Sequence, residues 1–88
     1  MIKGYKKNGK IEGIVTYIDL ETNKINEITE FKNGTPNGKY ETYYSNGNIE
    51  IIGAYKDGYL DGLIITYYED GKTIKRKKGV RHPETSYI

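Results

Sequence analysis

The sequence predicts an all-β chain: an antiparallel β-meander of about seven strands, arranged as three hairpin repeats in a single domain, residues 1–88. Three observations carry this. First, a 17-residue stretch is written twice, at Phe31–Gly47 and Tyr55–Gly71, 24 residues apart. Seven aligned positions are identical, among them Gly34/Gly58, Gly38/Gly62, Thr42/Thr66, Tyr43/Tyr67 and Tyr44/Tyr68. A fixed period of this length signals stacked supersecondary units. Second, Asn46-Gly47 and Asp70-Gly71 are dipeptides that readily enter a two-residue type I′ turn, where both positions need φ > 0. Third, each follows a β-branched and aromatic run, Tyr40 to Tyr44 and Ile64 to Tyr68, suited to a pleated, half-buried surface.

Strands are expected near residues 2–7, 14–20, 25–32, 39–45, 48–56, 63–69 and 72–78. The repeats fall at about 5–30, 31–54 and 55–78. The first is diverged. Tyr5-Lys6-Lys7-Asn8-Gly9 has one residue more than Tyr55-Lys56-Asp57-Gly58, and Asn23 stands where a turn glycine is expected. Asn tolerates the left-handed conformation, so a turn is still expected there. Residues 24–32 form the return strand, with Ile25, Ile28 and Phe31 as apolar members. Gly34 and Gly38, like Gly58 and Gly62, lie four apart and bracket a wider loop that joins one hairpin to the next.

A tight Asn46-Gly47 turn sets Tyr44 opposite Ile49, Tyr43 opposite Glu50 and Thr42 opposite Ile51. One face then holds Tyr40, Thr42, Tyr44, Ile49 and Ile51 and is the one expected to be buried. The other holds Lys39, Glu41, Tyr43, Glu50 and Ile52 and is mostly wet. The third hairpin sets Glu69 opposite Lys72, an attractive pair. Residues 79–88 read as a terminal extension, either packing Tyr87 and Ile88 back on the last hairpin or partly disordered.

The Gly-x-x-x-Gly and Tyr-Tyr-x-x-Gly elements, present twice in register, resemble the MORN (membrane occupation and recognition nexus) repeat in its bacterial variant form. The resemblance covers residues 31–71 well and 5–30 loosely. It implies an elongated, curved, single-layer meander without catalytic residues, serving as a protein-binding scaffold. Some bacterial members are described as antitoxin-like, which implies a neighbouring toxin as partner.

A chain of 88 residues with 35% hydrophobic content buries little apolar surface. Ten tyrosines partly compensate, each with a large ring and a hydroxyl that can face water. The absence of Cys fits a reducing compartment, and no apolar leader follows Met1; with Met1 as the native start, a cytoplasmic location is expected. The net charge of +2 is uneven. Residues 1–10 carry +4, residues 11–71 carry four Lys against eleven carboxylates, and residues 72–88 carry +5. Basic ends over an acidic middle predict a weak homodimer loosened by salt.

Two surfaces are candidate sites. Tyr43 and Tyr67, beside charges on the wetter face, form with Tyr59, Glu41 and Glu50 a candidate partner-binding surface, since Tyr is enriched at binding hot spots. The plainer role of tyrosines such as Tyr40, Tyr44 and Tyr68 is to form the core of a thin fold. Lys72, Lys75, Arg76, Lys77, Lys78 and Arg81 form a basic cluster that could meet an anionic membrane surface. Its plainer role is to stop a terminal strand from pairing onward into aggregates. The cluster lacks the interleaved aromatics of a single-strand nucleic-acid binder, so nucleic acid is not an expected partner. No cofactor or metal is expected: His82 is the lone histidine, and the glycine loops lack the Gly-Lys-Ser/Thr ending of a phosphate loop. Serines occur only at 45 and 86, neither in a nucleophile setting, so an enzyme is not expected.

Overall fold

In the computed structural model, which describes residues 1–80, the chain is one antiparallel sheet 15 Å thick. Eight strands are present among the described residues: β1 (Ile2–Lys7), β2 (Lys10–Asp19), β3 (Lys24–Lys32), β4 (Thr35–Tyr43), β5 (Ile49–Lys56), β6 (Tyr59–Leu60), β7 (Gly62–Tyr67) and β8 (Ile74–Val80). They lie side by side in chain order. β6 and β7 both pair with β5 and act as one strand interrupted at Asp61, which accounts for eight strands where seven were expected. β8 runs two residues further than the sequence suggested, so Gly79 and Val80 belong to the sheet. Tyr87 and Ile88 lie outside the described residues.

The turns exchange the roles expected of them. Asn8-Gly9, Asn33-Gly34 and Asp57-Gly58 have positive φ at both positions and join Lys7 to Lys10, Lys32 to Thr35 and Lys56 to Tyr59. These are the tight two-residue turns. The Gly-x-x-x-Gly segment is therefore no wide loop. Its first glycine closes the turn and its second, Gly38 with φ of 115°, lies within the next strand at a bulge. At Gly38 the Glu30 carboxylate occupies the place of a side chain and accepts the Lys39 N–H at 3.0 Å.

At Asn46-Gly47 only the glycine has positive φ. The Asn46 side chain accepts the Asn48 N–H at 2.8 Å, and a wider loop closes through Tyr44 N–H to the Asn48 carbonyl. This is a type I turn followed by a left-handed glycine. Asp70-Gly71 behaves alike and is wider by one residue, Tyr68 N–H reaching the Thr73 carbonyl. Glu69 and Lys72 therefore lie within the turn and do not form the expected strand pair.

The wider turns shift the register. Thr42 pairs with Ile51 as expected, but Tyr43 pairs with Ile49 and Glu50 bulges. The other hairpins bulge at the corresponding places, Asn26 and Lys75. Opposed residues share a face, so Ile49 joins Glu41, Tyr43 and Ile52, whereas Glu50 reaches Thr42 on the other side.

Neighbouring repeats are tied at both ends of the strands by bonds that recur with the repeat. Gly34 N–H donates to the Ile11 carbonyl and Gly58 N–H to the Pro36 carbonyl, each two residues past the preceding turn glycine. At the other end Lys24 Nζ donates to the Ser45 carbonyl and, one period on, Asn48 Nδ2 to the Glu69 carbonyl, both at 2.9 Å. Among the described residues only Val15 and Thr29 are buried, and they face each other across β2 and β3. The expected division into a buried and a wet face does not hold: Tyr40, Thr42, Glu41, Tyr43, Ile51 and Ile52 are all half-buried. Among the described residues, a single layer has no second layer to lay over either face.

Candidate functional site

The pairing register lays out each face as rows across the sheet. One row runs Tyr17, Glu27, Thr42, Ile51, Thr66 and Arg76, from β2 to β8. The row beside it runs Val15, Thr29, Tyr40 and Gly53. Gly53 has no side chain, and Tyr40 and Ile64 lean over it to within 3.8 and 3.4 Å of the place a Cβ would take. The Tyr55 ring meets that of Tyr40 edge to face, centroids 5.3 Å apart. This side of the sheet thus gathers Tyr17, Tyr40 and Tyr55 around one carboxylate, Glu27.

Two threonines orient the acids. Thr29 Oγ1 donates to Glu27 Oε2 at 2.8 Å, and Thr42 Oγ1 donates to Glu50 Oε1 at 3.2 Å. Both glutamates are half-buried. Burial, then the charge of Glu27, raises the Tyr40 hydroxyl above its ordinary pKa, with further contributions from Tyr55 and Glu50. Tyr55 is raised by burial and then by Glu27 and Tyr17. The phenols therefore stay neutral donors beside the carboxylates.

The opposite face carries a row of Thr16, Ile28, Glu41, Ile52, Ile65 and Lys77. Beyond it Tyr43 pairs with Ile49 and Tyr67 with Ile74. Tyr43 donates to Glu41 Oε1 at 2.6 Å, and Lys39 Nζ lies 3.9 Å from Glu41 Oε2. Burial, then the hydrogen bond to Glu41 and its charge, pushes the Tyr43 pKa up to about 12.

Of the residues singled out from the sequence, Tyr43, Glu41 and Tyr67 thus share one face. Glu50 sits on the other because of its bulge. Tyr59 pairs with Lys56 beside the tight turn at the far end of the strands and is exposed. Glu27, Tyr17 and Tyr55 escaped sequence reasoning. The tight Asn33-Gly34 turn and the bulge at Gly38 set Glu27 opposite Thr42, and the expectation of a wide loop between Gly34 and Gly38 hid that alignment.

The basic cluster becomes an edge. β8 pairs only with β7 among the described residues. Arg76 and Lys78 share the face of Thr66 and Ile64, whereas Lys77 shares that of Ile65. Lys75 is the bulge residue, its Nζ 5.8 Å from the centre of the Tyr68 ring. Lys72 lies in the preceding turn, and Arg81 lies outside the described residues. The cluster is therefore divided between two faces. β1, at the other edge, carries Lys3, Lys6 and Lys7. Among the described residues no group of three or more His, Asp or Glu converges as a metal-ligand set, and no helix is long and apolar enough to cross a membrane.

The fold and these surfaces define an open, repeat-built antiparallel sheet, neither face of which is covered by a second layer among the described residues. Residues 36–57 and 60–77 match the family model described as MORN repeat variant, so the two best-formed repeats are similar to that family. MORN repeats are commonly binding or scaffold modules and are not themselves catalytic. No curated protein and no solved structure matches the chain.

Proposed function

We propose that the protein is a non-catalytic repeat scaffold that binds another protein through a face of its open sheet. The observation that carries this reading is the single layer: among the described residues only Val15 and Thr29 are buried, while tyrosines and carboxylates stand half-buried on both sides with no second layer of described residues over them. A sheet face of this kind is an interaction surface in waiting. Tyr43, Glu41 and Tyr67 are candidate contacts on one side, with Tyr59 beyond them and Glu50 on the reverse. In the narrower, antitoxin-like form of the reading, the partner is a toxin neutralised by binding; a basic one would complement residues 11–71, which carry a net −7. Co-purification from native lysate tests the scaffold. Retention of a partner by the wild type and its loss with Tyr43→Ala plus Tyr67→Ala supports it, and failure to retain any protein across salt conditions overturns it.

A second reading rests on β8, which sets Arg76 and Lys78 on one face at an exposed edge. It takes this strand, with Lys72, Lys75, Lys77 and Arg81, as an anionic-membrane contact. Flotation with acidic but not neutral liposomes supports it, and equal behaviour with both removes it.

A further inference from the structure

We infer that the face formed by Tyr17, Glu27, Tyr40 and Tyr55 is a docking site for an arginine side chain presented by an extended basic segment of the partner. The inference rests on the scaffold reading and adds to it the face used and the chemistry recognised. Glu27 and Glu50 flank Thr42 on this face, one opposite it on β3 and the other at the bulge of β5. Each accepts one threonine hydroxyl, and neither forms an ion pair among the described residues. A carboxylate oxygen accepts more than one hydrogen bond, so both retain acceptor capacity toward an incoming donor.

The surroundings select the donor. Tyr40 and Tyr55 are packed against each other at 78° and carry raised pKa values, so they stay neutral and offer ring surface beside the acid. A cation over such rings is attracted by their quadrupole, and more so where water is partly excluded. Guanidinium fits better than ammonium. It is planar, stacks on a ring, and presents a fork of N–H donors to a carboxylate. The net charge of −7 over residues 11–71 complements a basic segment. The sequence contains the same components, but only the register brings them together, because Tyr17, Glu27, Tyr40 and Tyr55 stand on four different strands.

The test uses the full isotope-labelled chain and three short acetylated, amidated glycine–serine peptides differing at one central residue: arginine, lysine or citrulline, the last a neutral near-isostere. The arginine peptide is expected to shift the Glu27, Thr29, Tyr40 and Tyr55 resonances saturably, the lysine peptide more weakly, and the citrulline peptide not at all. Glu27→Gln keeps an acceptor for Thr29 and removes the charge; it is expected to weaken arginine binding about tenfold, the effect of losing one charge-assisted hydrogen bond. Glu50→Gln serves should that variant fail to fold, with a smaller expected weakening. Glu21→Gln, in an exposed turn, is expected to change nothing. The inference is overturned if citrulline binds as well as arginine, if lysine binds more tightly, if the glutamine variants bind like the wild type, or if shifts gather at the Glu69-Asp70 turn. It is also overturned if dilution of the free protein alone moves the same resonances, which would make a second copy the occupant. Any of these leaves the co-purification test of the scaffold standing, whereas a chain that binds the arginine peptide but retains no protein would sink the scaffold reading instead.

Discussion

Replacing Gly38 by alanine tests how the repeat holds its bulge. The φ of 115° at Gly38 disfavours any L side chain, at about 1–2 kcal/mol. A Cβ there would also lie 2.3 Å from Glu30 Oε1, so the carboxylate must leave and release the Lys39 N–H it accepts at 3.0 Å. A hydrogen bond to a charged group contributes about 1.5–3 kcal/mol, toward the low end at a half-buried site. The expected loss is therefore about 2–4 kcal/mol, a large part of the stability of a small domain. The next repeat supplies a control. Gly62 is the equivalent residue, with φ of 89° and, among the described residues, nothing within 4 Å of its would-be Cβ. Ala54 stands there where Glu30 stands one period earlier. Gly62→Ala should accordingly lose only the backbone component, about 1–2 kcal/mol. Urea unfolding with unchanged m-values measures both. Because Gly38→Ala already displaces the carboxylate, adding Glu30→Ala should cost less than it does alone, by about 1 kcal/mol in a double-mutant cycle. Equal losses at Gly38 and Gly62, or strict additivity in the cycle, would refute the reasoning.

Tyr43 is pushed up to about 12 by burial and by Glu41. A raised folded pKa means that its contribution is fully present below pH about 10 and lost as pH rises through about 12; Glu41→Gln should bring the Tyr43 titration, followed by ring resonances, down toward the ordinary value, and no change would detach Glu41 from the effect. Asp70 is lowered to about 2 by the Thr73 hydroxyl and the amides of Lys72 and Thr73. Its contribution is present above its ordinary 3.8 and lost as pH falls through about 2; Thr73→Val should raise the Asp70 titration seen by carboxyl resonances, and an unmoved value would break the assignment. The distribution of charge, basic at both ends and acidic between, predicts a weak homodimer at low salt that dissociates as salt is added; sedimentation at two ionic strengths reads it, and a monomer at millimolar concentration in low salt removes it.

The periodicity was legible because it is carried by residues with backbone consequences. Gly34 and Gly58, 24 apart, sit in equivalent turns and make equivalent bonds to Ile11 and Pro36. Which glycine closes the tight turn was not legible, because Asn-Gly pairs stand at both ends of the strands and Asn can serve two ways. In Asn33 the backbone enters the left-handed region, whereas in Asn46 the side chain accepts a hydrogen bond instead. That ambiguity moved the strand starts by four residues and displaced the register by one near Tyr43. A one-residue slip exchanges faces, so Glu50 and Ile49 were assigned to the wrong sides. The site around Glu27 depends on strands 2 to 5 being in register across a diverged first repeat, information that no local pattern contains. Tyr43 with Glu41 was local, two residues apart on one strand, and was read correctly as a shared face.

The distribution of charge over the sheet also bears on how a bound segment would lie. Both outer strands are basic: Lys3, Lys6 and Lys7 on β1, and Lys75 to Lys78 on β8. Edge-to-edge addition of copies would set like charges side by side, which disfavours it. A basic segment approaching the Glu27 face meets the reverse situation, carboxylates in the middle and cations at both rims, with Arg76 and Lys78 on the same side. The field draws it to the centre and repels it from the rims. It should therefore lie along β3 to β5, parallel to the strands, and not across all of them. A spin label on the amino end of a three-arginine peptide tests this. Broadening strongest near one end of β3, β4 and β5, and weaker toward β1 and β8, is the expected pattern. Broadening strongest at β1 or β8 would mean that the segment crosses the sheet and that the rim cations do not direct it.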